Sequence, residues 1–266
     1  MLRGHLIKTH PERDGAFRWR GDGVSRIEGL SDAVFGFAIT LLVVSMDVPT
    51  SFEALRELMR GFLAFAATFA TLVFVWHAQY KFFRRYGLED TTTIVLNVVL
   101  LFMVMFYVYP LKFLFGALLP MLYVATLGRL GAPTGLFGDP MRIAAAEWPG
   151  VMAIYGAGWV ALYTVFALLY GHAYRKRAEI GLDELEALET QHSVIEQGVM
   201  VALGLASLGV ATLGPELGLH PGLAGMLAGM VYMLIGPAQF LHWGVFAQRR
   251  KRALAEARAG GAPAVA

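Results

Sequence analysis

The chain has 266 residues, 57% of them hydrophobic and only 16% charged, with a mean hydropathy of +0.56. An ordinary soluble domain carries roughly 25% charged residues, so that class is excluded and a lipid bilayer is the expected solvent. The net charge of +2 and the absence of cysteine argue against a nucleic-acid surface and exclude disulfides and thiolate metal sites.

In chain order, residues 1–25 read as a polar, Gly-rich cytosolic arm with no apolar core of the kind a removable signal peptide needs. The first apolar segment is charge-free only from 33 to 46, which is shorter than the about 20 residues a helix needs to cross the hydrocarbon. Asp32 is therefore drawn into the membrane zone. Counting that segment gives six spans, near 27–48, 61–84, 91–118, 149–174, 192–214 and 221–248. Residues 26–248 are thus expected to form an all-α, six-helix transmembrane domain. The longest connection, about 118–148, lies outside, and its Leu118 to Leu127 run is expected on the membrane surface or over the outer mouth. The segment 249–266 is basic at its start and is expected to be a disordered tail.

Six spans put both termini on one side. Seventeen of the 22 Lys and Arg residues fall on that side, so the positive-inside rule makes both termini cytosolic in the cell membrane. Small residues at helical spacing, Ala153, Ala157 and Ala161 in span four and Gly225 and Gly229 in span six, are expected packing surfaces. Pro110 and Pro237 are expected to kink their helices.

Ionisable residues at membrane depth need partners, because Asp or Arg at a helix centre costs about 2.5–3.5 kcal/mol on insertion scales. Once the alternating directions of the spans are respected, Arg26, Ser31, Asp32, His77 and Asn97 fall at similar depth and are expected to form one polar lock joining the first three helices. Equally open from spacing is a His77 that stands alone at the interface beside Trp76. Zinc-protease, nucleophile-elbow and phosphate-loop motifs are absent, and no acids are paired at depth, so the residues point to no enzyme, metal site or cofactor.

The first helix sorts into two stripes, Ala33, Phe37, Thr40, Leu41, Val44 and Val48 on one and Asp32, Gly36, Ile39 and Val43 on the other. Periodicity leaves two uses of the first stripe open. It packs against a neighbouring helix, or it lines a narrow apolar tube on an axis shared by several subunits, where apolar constrictions gate by dewetting.

Arg26, then Leu30, Ser31 and Asp32, then the Ala/Phe/Ile run through Thr40, Leu41 and Leu42 closed by Pro49, resembles the signature of the bacterial branch of the transmembrane protein 175 family of potassium channels. Trp76-His77 and the Asn97 to Pro110 segment resemble that family's second and third helices. The resemblance implies a homotetramer in membrane lipid whose first helices line a K⁺-permeable pore without a TVGYG-type filter. It also implies a structural role for the polar lock and a narrowest point at Phe37, with Thr40, Leu41 and Val44 nearby. Two positions depart from the signature: Leu30 stands for a phenylalanine and Phe37 for an isoleucine. Two other readings remain, a proton or small-solute transporter using Asp32 and His77, and a non-conducting membrane scaffold.

Overall fold

The computed structural model describes residues 13–14, 17–21, 23–126, 130 and 143–259. Its helices are α1 (Arg26–Val44), α2 (Phe52–Arg60), α3 (Phe62–Tyr86), α4 (Thr91–Ala125), α5 (Trp148–Arg175), α6 (Glu184–Glu216), α7 (Pro221–Val231) and α8 (Ile235–Ala259). Short strands β1 (Arg13–Asp14) and β2 (Phe17–Arg18) pair antiparallel in the N-terminal arm. Among the described residues six helical segments are long and apolar enough to cross a membrane, the sixth being α7 and α8 together. The all-α, six-span reading holds.

Chain chemistry sets the boundaries. Ser25 caps α1 through a capping box with Glu28, and Asp183 caps α6 in the same way with Glu186, each satisfying backbone N–H groups that have no partner within the helix. Gly87 ends α3 at φ +58°, a left-handed conformation that costs glycine little. A 3-10 turn at Tyr232–Leu234 separates α7 from α8. Pro237 explains it, because a proline ring clashes with the carbonyl four residues back, here that of Met233. Pro110 is instead carried inside α4, where its carbonyl accepts the Tyr155 hydroxyl.

α1, α3 and α4 form one packed group and α5, α6 and α7 another, joined through α4 and α5, with α8 on α6. The main core runs through the first group into α5, with Phe35, Leu42, Phe82, Leu100, Val108 and Leu169 fully or almost fully buried. In α5 Gly156 and Gly158 are buried, while Ala157 is exposed. A Cβ on Gly158 would sit 1.9 Å from the Tyr107 ring, so the intimate contact is glycine against aromatic and not the expected alanine stripe. Gly225 is likewise required, since a Cβ there would come within 2.5 Å of Trp148, whereas at Gly229 the nearest atom is 3.8 Å away.

Three expectations change. The Leu118 to Ala125 part of the presumed surface run continues α4; most of the remaining loop lies outside the described residues. The tail is helical from 249 to Ala259, because its Ala, Glu, Arg and Lys content favours helix; residues 260–266 lie outside the described residues. Span one ends early, at Val44, and α2 fills the connection to α3.

Candidate functional site

α1 presents two unlike faces. Ile27, Glu28, Ser31, Phe35, Ala38 and Leu42 are buried, a spacing of three to four residues that turns one side of the helix onto α3 and α4. In that seam the Ser31 hydroxyl donates to the Ile27 carbonyl at 2.8 Å and accepts from Asn97 Nδ2 at 2.9 Å. Asn97 Oδ1 in turn accepts from Gln79 Nε2 at 2.9 Å. All three side chains are buried, and the chain of bonds ties α1, α4 and α3 with neutral groups alone. In a low-dielectric setting an unpaired member would be costly.

The five residues expected to form one lock are therefore divided. Ser31 and Asn97 meet, but Asp32 turns aside, and its Oδ1 accepts from Trp76 Nε1 at 2.8 Å. Arg26 and His77 are exposed, and among the described residues neither makes a hydrogen bond or ion pair; the His77 ring lies against Tyr80 with centroids 6.3 Å apart. Helical register explains the division. The buried face of α3 runs Thr68, Leu72, Val75, Gln79, Phe82, Phe83 and Tyr86, so the inward polar residue near that end is Gln79, and His77, two residues earlier, points elsewhere.

The opposite face of α1 is open to its surroundings among the described residues. Leu30, Phe37 and Val44 are 50%, 55% and 71% exposed, and Ala33, Gly36 and Thr40 lie on the same side. Leu41, at the edge of this stripe, is half-buried. The Thr40 hydroxyl donates to the Gly36 carbonyl at 2.9 Å. Its proton is thus engaged within the helix, leaving oxygen lone pairs as its free polarity, which suits a cation better than an anion.

At the far end of α1, Lys112 Nζ donates to the Ser45 carbonyl at 2.8 Å and to its hydroxyl at 2.7 Å. A cation at a helix C-terminus meets the negative end of the dipole. This gives a role to a lysine that otherwise stands unexplained inside a hydrophobic span.

At the near end the N-terminal arm is clasped to the bundle. Phe17 is fully buried against Tyr86, with ring centroids 5.5 Å apart. Arg20 forms a salt bridge with Glu186 and also donates to the carbonyls of Arg18, Ile180 and Gly181 at 2.8–3.0 Å. The arm's backbone N–H groups at Arg20 and Gly21 bond the Arg84 carbonyl at 2.9 and 3.2 Å. Nearby, Asp90 accepts from Thr93 at 2.6 Å and faces His172 Nε2 at 2.8 Å. These bonds outweigh the opposing effect of burial and hold its carboxyl below its ordinary value.

Sequence reasoning passed over Gln79, Arg20 and Glu186 and gave Trp76 and Lys112 no partner. The register of α3 was a usable signal for Gln79, and Asp183 followed three residues later by Glu186 was one for the start of α6. Nothing local links Arg20 to a partner 166 positions away.

Comparison with known proteins gives a consistent picture. The family model described as the endosomal/lysosomal potassium channel TMEM175 matches residues 26–107. A potassium channel of Marivirga tractuosa is 35% identical over 238 residues, 90% of this chain and 94% of that one. A potassium channel of Chamaesiphon minutus is 33% identical over 93 residues, 32% of this chain and 46% of its own length. Among solved structures, that of a variant of the potassium channel MtTMEM175 superposes with a TM-score of 0.75 at 34% identity, covering 89% of this chain and 99% of that one.

Proposed function

Because the chain belongs to the TMEM175 family of potassium channels, we propose that it is a K⁺-permeable channel of the cell membrane, a homotetramer in which four copies of α1 surround the pore. The family is one of ion channels and not of enzymes. On this reading both termini are cytosolic, in keeping with the clustering of Lys and Arg on their side.

The observation that carries the proposal is the two-faced character of α1. One side is fully engaged inside the subunit, through Ser31 and the apolar residues around it. The other leaves Phe37 and Val44 more than half exposed with Thr40 between them. Packed around an axis, that stripe forms an apolar constriction at Phe37, followed by a ring of Thr40 oxygens and then Val44, with Leu41 flanking. Water leaves a narrow apolar ring readily, so such a ring closes a pore without any charged barrier. Four phenyl groups close it more completely than smaller side chains would. Ser31 and Asn97, with Gln79, act as the lock that holds α1 at a fixed rotation. Asp32, Arg26 and His77 flank that lock on the outer surface of the subunit.

A transporter relay would join Asp32 to His77, but Asp32 instead takes the Trp76 indole N–H and His77 lies against Tyr80. No observation favours that reading.

The test is flux into liposomes loaded with K⁺ or Cl⁻ gradients. We expect K⁺ to pass more readily than Cl⁻, and Phe37→Ala to raise K⁺ flux. Equal passage of the two ions in both the wild type and Phe37→Ala would overturn the proposal. Disulfide formation between copies of Phe37→Cys reads the axis independently, since the chain has no other cysteine.

A further inference from the structure

The α-helix α2 buries none of its residues among the described part of the subunit. Its nine residues, Phe52 to Arg60, nonetheless separate completely when projected at 100° per residue. Phe52, Ala54, Leu55, Leu58 and Met59 occupy one arc, and Glu53, Arg56, Glu57 and Arg60 occupy the other. Phe52 is 78% exposed and Met59 58%, and on this arc only Leu58 is half-buried, so the described residues leave the apolar arc largely uncovered. On the polar arc Arg60 and Glu57 pair at 2.8 Å.

The depth of α2 follows from its neighbours. Its N-terminal connection starts at the end of α1, where Lys112 bonds Ser45. Lys112 lies 21 residues into α4, about 30 Å along the helix at 1.5 Å per residue, which matches the hydrocarbon thickness. At its other end only Gly61 separates α2 from α3, another membrane-crossing helix. α2 is thus tied at both ends to the membrane boundary, on the face opposite the chain's N-terminal arm. Its apolar arc continues into the exposed Phe62 and Leu63 at the start of α3, so the two surfaces share one solvent.

We propose that α2 is an interfacial helix whose occupant is the lipid itself, with Phe52, Leu55, Leu58 and Met59 seated among the outer ends of the acyl chains. Arg56, at the edge of the polar arc, then lies level with the lipid phosphates, while Glu53, Glu57 and Arg60 face water. A short helix with segregated faces and low overall hydrophobicity lies in the headgroup boundary and does not cross the membrane. Arginine suits the arrangement, because its apolar stem follows the hydrocarbon edge while its guanidinium meets phosphate. The consequence is mechanical: a lipid-seated α2 anchors the far end of α1, the end opposite the Ser31 lock.

The chain's lack of cysteine makes the test direct. Single variants Phe52→Cys, Met59→Cys, Glu53→Cys and Arg56→Cys carry a nitroxide on the full chain in phosphatidylcholine and phosphatidylglycerol vesicles. Collision with oxygen, which concentrates in hydrocarbon, is compared with collision with a water-soluble nickel chelate. We expect the oxygen-to-nickel ratio at Phe52 and Met59 to exceed that at Glu53 and Arg56 several-fold. Equal nickel access at all four sites would mean that α2 stands in water. Exclusion of both probes at Phe52 and Met59 would mean that protein, such as a second copy of the chain, covers the arc. Either result overturns the proposal. A second reading uses Phe52→Trp with bromine-labelled acyl chains, where its added fluorescence is expected to be quenched. Absence of that quenching counts against lipid contact.

Discussion

Ser31, Asn97 and Gln79 tie α1, α4 and α3 with a hydroxyl and two amides, whereas Arg20 and Glu186 tie the N-terminal arm to α6 with full charges. Both connections are buried and both draw together segments far apart in sequence. They differ in what surrounds them. The neutral triad is packed among helices that cross the membrane, where the charge of an ion would be expensive to desolvate. The ion pair sits where the arm meets the α5–α6 turn, and free backbone groups complete its hydrogen bonds. All five guanidinium N–H groups of Arg20 are used, and both Glu186 oxygens accept two bonds each. Charge is tolerated where the backbone can saturate it, and neutral polarity serves where only side chains are at hand.

The largest expected effect comes from breaking the ionic tie. Glu186→Ala strands a buried guanidinium and removes one half of the α6 capping box, at a cost of about 3–5 kcal/mol. A strongly lowered melting temperature in detergent would show it. Glu186→Gln keeps a side chain able to cap, so it should recover part of the loss. If Glu186→Ala proves no more harmful than loss of the neutral tie, the contrast between the two is wrong.

Asn97→Ala comes next. It leaves the Ser31 hydroxyl without its donor and the Gln79 amide without its acceptor, which together with lost packing should cost about 2 kcal/mol. Adding Ser31→Ala to Asn97→Ala should cost little more, because the bond between them is already gone. Simple addition of the two losses would show that Ser31 and Asn97 do not act as one unit. The triad also makes a functional prediction, since a freely rotating α1 would no longer present Phe37 and Thr40 together, and Asn97→Ala should lower K⁺ flux even where the protein remains folded.

Gly87→Ala should be milder. At φ +58° an L side chain is strained, and a Cβ would stand 3.1 Å from the Arg20 carbonyl oxygen, for a total of about 1–2 kcal/mol. The second part of that loss should shrink in the Glu186→Ala background, where the arm is already loosened. Melting curves of the single and double variants measure the difference.

What could be read beforehand follows the same division. Ser31 and Asn97 stood out because polar residues in charge-poor spans demand partners, and the six spans followed from hydropathy and length. The family resemblance directed attention to Phe37, which is 55% exposed among the described residues. Gln79 was masked by the more conspicuous His77, although the period of α3 distinguishes them. α2 escaped because its four charges lower the local hydropathy, and only their angular placement reveals the apolar arc. The Arg20–Glu186 tie had no local signal, since an aperiodic arm carries no register from which to infer its contacts.

Asp90 offers the smallest effect and places a third tie between the other two. It stands just before α4, takes bonds from Thr93 and His172, and has Lys176 Nζ 4.0 Å away. Its carboxyl is held below the ordinary value of 3.8, so the folded state favours the ionised form. The stabilisation is then complete at pH values above 3.8 and is lost as the pH falls through the lowered native value. Because the group is partly open to solvent, with 27% of its side chain exposed, the gain should stay under about 1 kcal/mol. Melting temperatures of the wild type and Asp90→Asn, taken from neutral pH downward, should differ by a small constant amount and converge only in the acid range. Convergence already at neutral pH would mean that Asp90 contributes as a neutral cap and that its charge adds nothing to the fold.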